Sequence, residues 1–393
     1  MTEAQKEQYF DWAATSPADE GILRAALEET IAVWGNPSSL HAAGKEARAV
    51  LEAARRRCAD ALGVPPQTLC FTSGGTESDH IPILSILNRP QKGGVLFSAA
   101  EHPAVREQAR ALQKCGWTVR EVQPGKDGII TPQAVLDALT PETALVCIMA
   151  VNNETGAIQP VPDIADALMR ECRNRRRPKL HVDCVQAAGK IPLDISHAGI
   201  DSAAFSAHKL CGPRGIGLLY LSEPLEPFLK GGGQENGIRS GTENLFGAAA
   251  LARCLETYCI TEENTAAFGR YLRQQELTAR FVQKLASLGC CTIIPEVRLQ
   301  APERYSPWIV QASFANIPGQ VMLRALDAEG FCISTGSACS SKKRSRPVLD
   351  AMHVPPEAAQ NAVRFSFGPA TTEAAMDRLF EAAAEIARRF NGR

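Results

Sequence analysis

Short apolar runs alternate with helical stretches along most of this chain, and this alternation limits the folds open to it. Residues 44–61 are rich in Ala, Arg and Glu and have the periodicity of a helix. Such alternation favours a mostly parallel sheet with helices on both faces, the α/β class. The predicted buried strands are residues 69–72, 94–98, 143–150, 180–182, 203–206 and 217–221.

The last third of the chain has a different character. Residues 244–273 predict one long connecting helix, and residues 309–314 and 362–367 predict strands of a smaller α+β domain. A chain of 393 residues is long enough for one large and one smaller domain. We expect the large domain to span residues 15–255, and the small domain to combine residues 1–14 with residues 256–393.

Composition excludes several classes of protein. The 42 basic and 43 acidic side chains nearly cancel, which argues against nucleic acid and membrane surfaces as direct partners. No apolar run approaches the roughly 20 residues that span a bilayer, and residues 1–8 are polar, unlike an export signal. The 13 cysteines are scattered without CxxC pairs, so we expect a cytoplasmic protein without a disulfide framework or a metal site.

The candidate chemistry begins at Lys209, which closes the run Ser206-Ala207-His208-Lys209 after a predicted strand. A lysine amine forms a Schiff base only when it can lose its proton, which burial and cationic neighbours promote. A lysine at a strand end is more often an ordinary surface residue. The interpretation as a catalytic amine therefore depends on the other motifs.

Four further motifs follow predicted strands. The Gly-rich turn at residues 72–78 opens a helix and is typical of anion sites, although many tight turns look similar. Asp183 and Gln186 offer a carboxylate and an amide to a heterocyclic ring, and the alternative for Asp183 is a helix cap. His102 offers a flat imidazole, and Asn153 an amide. Carboxyl ends of parallel strands meet at one edge, so these groups are predicted to share a crevice.

Cys339 stands apart from the other cysteines because it follows small residues in a predicted exposed and mobile loop, about residues 332–346. The basic side chains Lys342, Lys343 and Arg344 follow it directly. Positive charge favours the thiolate, which is the nucleophilic form of cysteine. The alternative is one unremarkable cysteine among 13.

Taken together, these motifs resemble the cysteine desulfurase family of the class V aminotransferase-like, fold-type I pyridoxal-phosphate enzymes. The resemblance covers nearly the whole chain and implies a seven-stranded, mostly parallel sheet in the large domain. It rests on Asp11-Trp12-Ala13-Ala14-Thr15, Asn36-Pro37-Ser38-Ser39, Gly74-Gly75-Thr76-Glu77-Ser78, Glu101-His102, Asn152-Asn153-Glu154, Asp183-Cys184-Val185-Gln186, Ser206-Ala207-His208-Lys209, Arg239-Ser240-Gly241-Thr242, Gly336-Ser337-Ala338-Cys339 and Arg364-Phe365-Ser366.

The resemblance implies a role for each residue around the cofactor, pyridoxal 5′-phosphate. Lys209 would hold it through a Schiff base, Asp183 would pair with its ring nitrogen, and Gln186 would bond its ring oxygen. His102 would stack on the ring, and Asn153 would contact cofactor or substrate. The implied phosphate ligands are Gly75, Thr76, Ser206 and His208, with Thr242 supplied by the partner subunit of a homodimer.

The implied reaction takes sulfur from L-cysteine and leaves L-alanine. Asn36, Asn153 and Arg364 would bind the substrate, and Cys339 would accept the sulfur as a persulfide. The persulfide would then pass to an acceptor protein for iron–sulfur cluster assembly or for thiolation of tRNA or a cofactor. Three alternatives stay open: a selenocysteine lyase or other β-eliminating relative, an ordinary aminotransferase, and a non-catalytic sulfur-relay scaffold.

Overall fold

A seven-stranded sheet forms the centre of the computed structural model, which describes residues 7–261, 263–336 and 346–392. The strand order is β1-β7-β6-β5-β4-β2-β3, and only β7 runs antiparallel to its neighbours. The predicted α/β class and mostly parallel sheet are confirmed. The strands are β1 Leu69–Thr72, β2 Gly94–Ser98, β3 Thr118–Val122, β4 Thr143–Met149, β5 Lys179–Asp183, β6 Ser202–Ser206 and β7 Gly217–Leu221.

Helices bury both faces of this sheet, so its inner strands are apolar without alternation. All seven residues of β4 are buried, as expected for a parallel strand that is covered on both sides. The helices up to this point of the chain are α1 Glu20–Thr30, α2 Ala42–Leu62, α3 Gly75–Ser85, α4 Pro103–Lys114, α5 Pro132–Ala138 and α6 Val161–Glu171.

A second, three-stranded antiparallel sheet lies in the last third of the chain. Its order is β10-β9-β8, where β8 is Cys291–Ile294, β9 is Ile309–Phe314 and β10 is Ala362–Ser366. The remaining helices are α7 Leu245–Tyr258, α8 Thr265–Ala286, α9 Gly319–Ala328, α10 Pro347–Ala351, α11 Pro356–Gln360 and α12 Glu373–Asn391. This arrangement agrees with the predicted smaller α+β unit, while its exact limits in the chain remain a prediction.

The single long helix predicted for residues 244–273 is wrong, because the chain forms α7 and α8 there. Cys259 adopts an extended backbone after α7, and the Asn264 side chain accepts a hydrogen bond from the Ala267 amide to begin α8. Asn264 also donates to the carbonyl of Cys259, which fixes the corner. An asparagine side chain can bond nearby backbone groups in place of the helical hydrogen bonds, which disfavours a continuous helix. The same side chain is a preferred N-cap for the helix that follows it.

The N-terminal segment joins the two sheets. Asp11 bridges to Ser366 of β10, and the Ser16 amide donates to the His208 carbonyl (2.8 Å) beyond β6. Residues 11–16 therefore cross from the small sheet to the large one. Within the described part of the chain, no helix has both the length and the apolar character needed to cross a bilayer.

Candidate active site

A cavity of about 530 Å³ opens at the edge of the large sheet where the parallel strands end. β1, β2, β4, β5 and β6 all deliver side chains to it because their carboxyl ends share this edge. Ten residues singled out from the sequence line the cavity: Gly75, Thr76, His102, Asn153, Asp183, Gln186, Ser206, His208, Lys209 and Arg364.

Lys209 ends a short 3₁₀ turn, Ala207–Lys209, directly after β6. Its Nζ donates to the carbonyl oxygens of Ala13 (2.6 Å) and Ala14 (2.5 Å). The backbone of this N-terminal segment is itself held by Ser16, whose Oγ donates to the His208 carbonyl (2.8 Å). The amine is thus fixed at the cavity wall by two rigid acceptors.

The Gly-rich turn after β1 forms a cradle of the kind that binds anions. Helix α3 begins at Gly75, and Gly74 before it has φ 154° and gives no side-chain cap. The first amides of the helix therefore stay available, and the helix dipole adds positive potential there. A Cβ on Gly75 would come within 2.7 Å of Val185 Cγ2, so the close approach of this backbone requires glycine.

An acidic side chain, Glu77, lies beside this cradle and lines the cavity. The Glu77 carboxylate accepts a hydrogen bond from the Ser73 amide and forms an ion pair with Arg239 (Oε1 to Nε, 3.2 Å). Arg239 neutralises a charge that would otherwise repel an anion at the helix start. The pair also attaches the segment of Arg239 to the cradle.

Asp183, the last residue of β5, is buried at the cavity floor. Its pKa is raised to about 7, chiefly by burial and also by the neighbouring Asp79, while a hydrogen bond from the Val185 amide (2.9 Å) opposes the rise. Behind it on the same strand face, His181 Nε2 lies 3.1 Å from Asp79 Oδ1. A buried carboxyl of this kind ionises readily when a cation binds beside it.

His102 caps helix α4 and presents its ring to the cavity. Its Nδ1 accepts a hydrogen bond from the Ala104 amide (3.2 Å), so the proton of the neutral ring lies on Nε2. The pKa of His102 is lowered to about 4, chiefly by burial and also by the charges of Lys209 and Arg106. The imidazole is therefore neutral near pH 7 and suited to stacking on a flat ring.

Arg364 reaches the cavity from β10 of the small sheet and is 1% exposed. Its Nη1 donates to the Asn153 carbonyl (2.8 Å), and its Nη2 donates to Asp11 Oδ1 (2.7 Å). Its Nε is buried and has no hydrogen-bond partner among the described residues. An orphaned guanidinium donor is costly unless a ligand completes it, and a carboxylate is the natural complement.

Two cavity residues are held by side chains that carry no assigned role in the sequence analysis. Gln186 Oε1 accepts from Lys190 Nζ (2.6 Å), and its Nε2 donates to the Ala13 carbonyl (2.9 Å). His208 Nδ1 lies 3.1 Å from Thr15 Oγ1. Burial lowers the pKa of His208 to about 4, and Lys209 adds to this effect.

Two described residues of the predicted site, Asn36 and Thr242, do not line this cavity. Asn36 is exposed and its Oδ1 accepts from the Ser38 amide (2.9 Å), and Thr242 is also exposed. Cys339, with the basic run at residues 342–344, lies outside the described residues. The substrate role of Asn36 and the phosphate role of Thr242 stay predictions.

The cavity also contains groups that the sequence analysis did not assign. Ala13 and Ala14 contribute backbone carbonyls, which no residue-type pattern reveals. Asp79 and Arg214 line the cavity as well. The sequence could have indicated Arg214 as a cavity residue, since it stands between Pro213 and Gly215 in a turn soon after Lys209.

The donor set fits pyridoxal 5′-phosphate, the cofactor that the resemblance implies. An amine, a buried carboxyl and a neutral imidazole surround one cavity, and an uncapped helix start with a glycine-only approach offers a phosphate site beside them. A Schiff-base lysine with a carboxylate for the ring nitrogen is the pattern by which proteins hold this group.

Comparison with known proteins identifies close resemblances over nearly the full length. The sequence pattern of the family "Aminotransferase class-V" matches residues 8–379. A "NifS/IcsS protein homolog" of Lactobacillus delbrueckii subsp. bulgaricus is 36% identical over 391 residues, 98% of each chain. A "Cysteine desulfurase IscS" of Dictyoglomus turgidum is 34% identical over 94% of this chain and 91% of the relative. A solved "NIFS-LIKE PROTEIN" superimposes with a TM-score of 0.86 at 34% identity, covering 96% of this chain and 98% of that one.

Proposed function

Because this chain belongs to the aminotransferase class-V family, and within it to the cysteine desulfurases, we propose that its cavity removes sulfur from L-cysteine and leaves L-alanine. It is an enzyme that uses pyridoxal 5′-phosphate. The observation that carries the proposal is the meeting of Lys209, Asp183 and Arg364 at one cavity, from three separate parts of the chain. These are an amine, a carboxyl and a carboxylate-binding cation, which together suit an amino-acid substrate.

The proposed roles follow from the chemistry of each side chain. When bound, the cofactor would form a Schiff base with an amine and withdraw electrons from the substrate α-carbon. Lys209 would hold the cofactor and later move the α-proton, Asp183 would pair with the ring nitrogen, and the neutral His102 ring would stack on it. Arg364 would bind the substrate carboxylate, since its buried Nε lacks a partner among the described residues.

Cys339 is proposed as the sulfur acceptor. Its thiolate would attack the substrate sulfur, the bond from that sulfur to the β-carbon would break, and the β-carbon would take a proton to give alanine. Nine of the twelve cysteines in the described part of the chain are buried. Burial raises the pKa of such thiols, as at Cys58 and Cys184, so they make poor nucleophiles.

We propose a cytoplasmic homodimer in which Thr242 completes the phosphate site of the partner subunit. Thr242 is exposed, and the anion cradle adjoins a second cavity of about 490 Å³ through Ser73, Thr76 and Glu77. Phe228 and Leu229 on that cavity are 48% and 72% exposed, which suits coverage by another chain. The persulfide would pass to a separate acceptor protein, and Lys342, Lys343 and Arg344 would dock an acidic surface on it.

The first test is to incubate the purified holoenzyme with L-cysteine and a thiol reductant, and to quantify alanine and sulfide. We expect equal amounts of both from the wild type, and none from Lys209→Ala. Cys339→Ala is the informative variant: loss of both products supports Cys339 as the acceptor. Undiminished activity in Cys339→Ala contradicts that role and favours direct β-elimination, as in a selenocysteine lyase.

A second comparison separates desulfuration from transamination. Addition of a keto acid would be required for turnover by an aminotransferase, and the amino-acid product would then derive from that keto acid. We expect alanine to form from L-cysteine without any keto acid. For the acceptor surface, charge reversal at residues 342–344 should weaken persulfide transfer most at low salt, since salt screens exposed charges.

A further inference from the structure

A second lysine, Lys190, lies buried beside the cavity and has no part in the proposed reaction. It follows β5, is 8% exposed, and is fixed at both backbone ends. Its amide donates to the Ala187 carbonyl (3.0 Å), and its own carbonyl accepts from Trp308 Nε1 (2.6 Å). The side chain therefore starts from a fixed point that joins the large sheet to the segment before β9.

The Lys190 side chain makes one hydrogen bond among the described residues, and that bond goes to Gln186. Its Nζ lies 2.6 Å from Gln186 Oε1. A protonated amine has donors only, and the NH₂ end of the Gln186 amide already donates to the Ala13 carbonyl, so the end that faces Lys190 is the carbonyl end. This contact therefore fixes which end of the amide turns toward Lys190.

The orientation determines what Gln186 offers to the cavity. With the carbonyl end held by Lys190, the NH₂ end faces the Ala13 carbonyl (2.9 Å). An NH₂ group has two hydrogens, so one remains to donate into the cavity that Gln186 lines. The Ala13 carbonyl also accepts from Lys209 Nζ (2.6 Å), so one backbone oxygen aligns both cavity groups.

An amine at this position is unfavourable for folding, which argues that it is retained for another reason. The pKa of Lys190 is lowered to about 7, chiefly by burial and also by the charges of Lys209 and Arg364, while Cys211 opposes them. A methionine of similar length would fill the same space without that penalty. Among the described residues, the charged and titratable groups that interact with the amine are Lys209, Cys211, Arg364 and His208.

We propose that Lys190 is a positioning residue of this enzyme: it holds the Gln186 amide so that the NH₂ group donates to the ring oxygen of the bound cofactor. This inference rests on the proposed function. It concerns Gln186 only, and Lys190 itself does not touch substrate or cofactor.

The test compares two holoenzyme variants. Lys190→Met removes the donor at nearly the same length, and Lys190→Gln keeps an NH₂ donor without the charge. We expect Lys190→Met to shift the pH midpoint of the visible absorption of the bound cofactor by about one unit, a tenfold change in proton affinity. We expect kcat/KM for L-cysteine to fall about tenfold as well, and Lys190→Gln to restore both to within about threefold.

A double-mutant cycle separates positioning from a merely structural role. In the Gln186→Leu background there is no amide left to orient, so adding Lys190→Met should change neither the absorption midpoint nor kcat/KM. An effect of Lys190→Met that persists in that background would overturn the proposal, as would failure of Lys190→Gln to restore the midpoint. So would a Lys190→Met enzyme with wild-type absorption and kinetics.

Two controls keep these outcomes interpretable. Thermal unfolding of the cofactor-free variants checks folding, and we expect Lys190→Met to be at least as stable as the wild type because a buried amine is gone. The absorption titration needs no turnover. If the wild type releases no alanine from L-cysteine, the proposed function fails, while the midpoint still reports on Lys190 and Gln186.

Discussion

Asp183 shows, at the scale of a single residue, how a site can be built at the expense of stability. Its pKa is raised from 3.8 to about 7, chiefly by burial and also by the neighbouring Asp79. Between these pH values the folded cofactor-free protein binds a proton that the unfolded chain has lost. This residue therefore lowers the free energy of unfolding as pH rises from about 4 to 7.

The prediction is that cofactor-free Asp183→Asn is more stable than cofactor-free wild type above pH 7, by about 2–4 kcal/mol. The difference should vanish below about pH 3, where the wild-type carboxyl is protonated in both states. Chemical denaturation at a series of pH values measures it. With the cofactor bound the order should reverse, because the neutral amide of the variant cannot neutralise a ring cation; a pH-independent difference would contradict the account.

Single residues also mark the limit of what the sequence could predict about the site. Lys209, Asp183 and His102 were predictable because each lies at or soon after the end of a strand of the parallel sheet. Lys190 was not, since its role depends on one 2.6 Å contact with Gln186 that no spacing rule specifies. The Ala13 carbonyl was invisible for the same reason, because backbone oxygens carry no residue-type signal.

At the scale of elements, the start of helix α3 is defined by one close approach. A Cβ at position 75 would lie 2.7 Å from Val185 Cγ2, which is a β-branched and stiff neighbour. We predict that Gly75→Ala displaces the helix start and weakens cofactor binding by about 10- to 100-fold, from overpacking of about 1–3 kcal/mol. Titration of the cofactor-free protein with pyridoxal 5′-phosphate measures the dissociation constant.

Gly269→Ala is the matched control for that variant. Gly269 lies in helix α8, and a Cβ there meets nothing within 4 Å. It should leave cofactor affinity unchanged and raise stability by about 0.5–1 kcal/mol, since alanine favours the helix. Equal cofactor affinity in Gly75→Ala and wild type would contradict the prediction. It would show that Val185 can move to admit a Cβ at position 75 without disturbing the cofactor site.

A buried ion pair joins helix α2 to the loop that precedes α7. Arg55 Nη1 lies 2.7 Å from Glu235 Oε2, and that oxygen also accepts from the Phe71 amide of β1 (2.7 Å). Arg55→Met would leave the Glu235 carboxylate buried without its cation, so we predict a loss of about 3–5 kcal/mol in the free energy of unfolding. Urea denaturation of the cofactor-free proteins measures it.

The control for that pair lies in the same loop. Lys230 and Glu226 form an ion pair in which both side chains are more than half exposed. Lys230→Met should change the unfolding free energy by less than about 0.5 kcal/mol. A similar small effect from Arg55→Met would mean that water reaches Glu235 and that the loop is not anchored there.

Two edge strands, β3 and β8, escaped sequence-based prediction, whereas the edge strands β1 and β10 were predicted. β3 has the burial pattern of an edge strand, with Thr118, Arg120 and Glu121 exposed, so it lacks the apolar run that marks the inner strands. β8 is a four-residue edge strand of the small sheet. Inner strands such as β4 were predictable because burial on both faces demands a continuous apolar run.

At the scale of the whole molecule, the cavity depends on contacts that cross between the two sheets. Arg364 of β10 bonds the Asn153 carbonyl beyond β4, and Asp11 of the N-terminal segment bonds Arg364 in turn. The same segment holds Lys209 two residues later, through the Ala13 carbonyl. A shift of the small sheet would therefore move the proposed carboxylate clamp and the lysine together.

The proposed homodimer makes the strongest prediction at this scale, because it assigns parts of one site to two chains. Lys209→Ala and Thr242→Ala subunits, co-expressed with different affinity tags, can be purified as mixed dimers. If Thr242 serves the partner's site, one site of each mixed dimer carries both substitutions and the other site carries neither. We predict about half of the wild-type desulfurase activity at limiting cofactor, with Lys209→Ala dimers inactive and Thr242→Ala dimers impaired in cofactor affinity.

The opposite arrangement gives a different number from the same preparation. If Thr242 acts within its own chain, each mixed dimer has one site without Lys209 and one without Thr242, so its activity should be half that of the Thr242→Ala dimer. Thr242 is exposed and absent from the lining of its own cavity, which argues against that arrangement. Full cofactor affinity in Thr242→Ala dimers would contradict both arrangements. The phosphate would then be held without Thr242, by groups such as Ser206 and the first amides of α3.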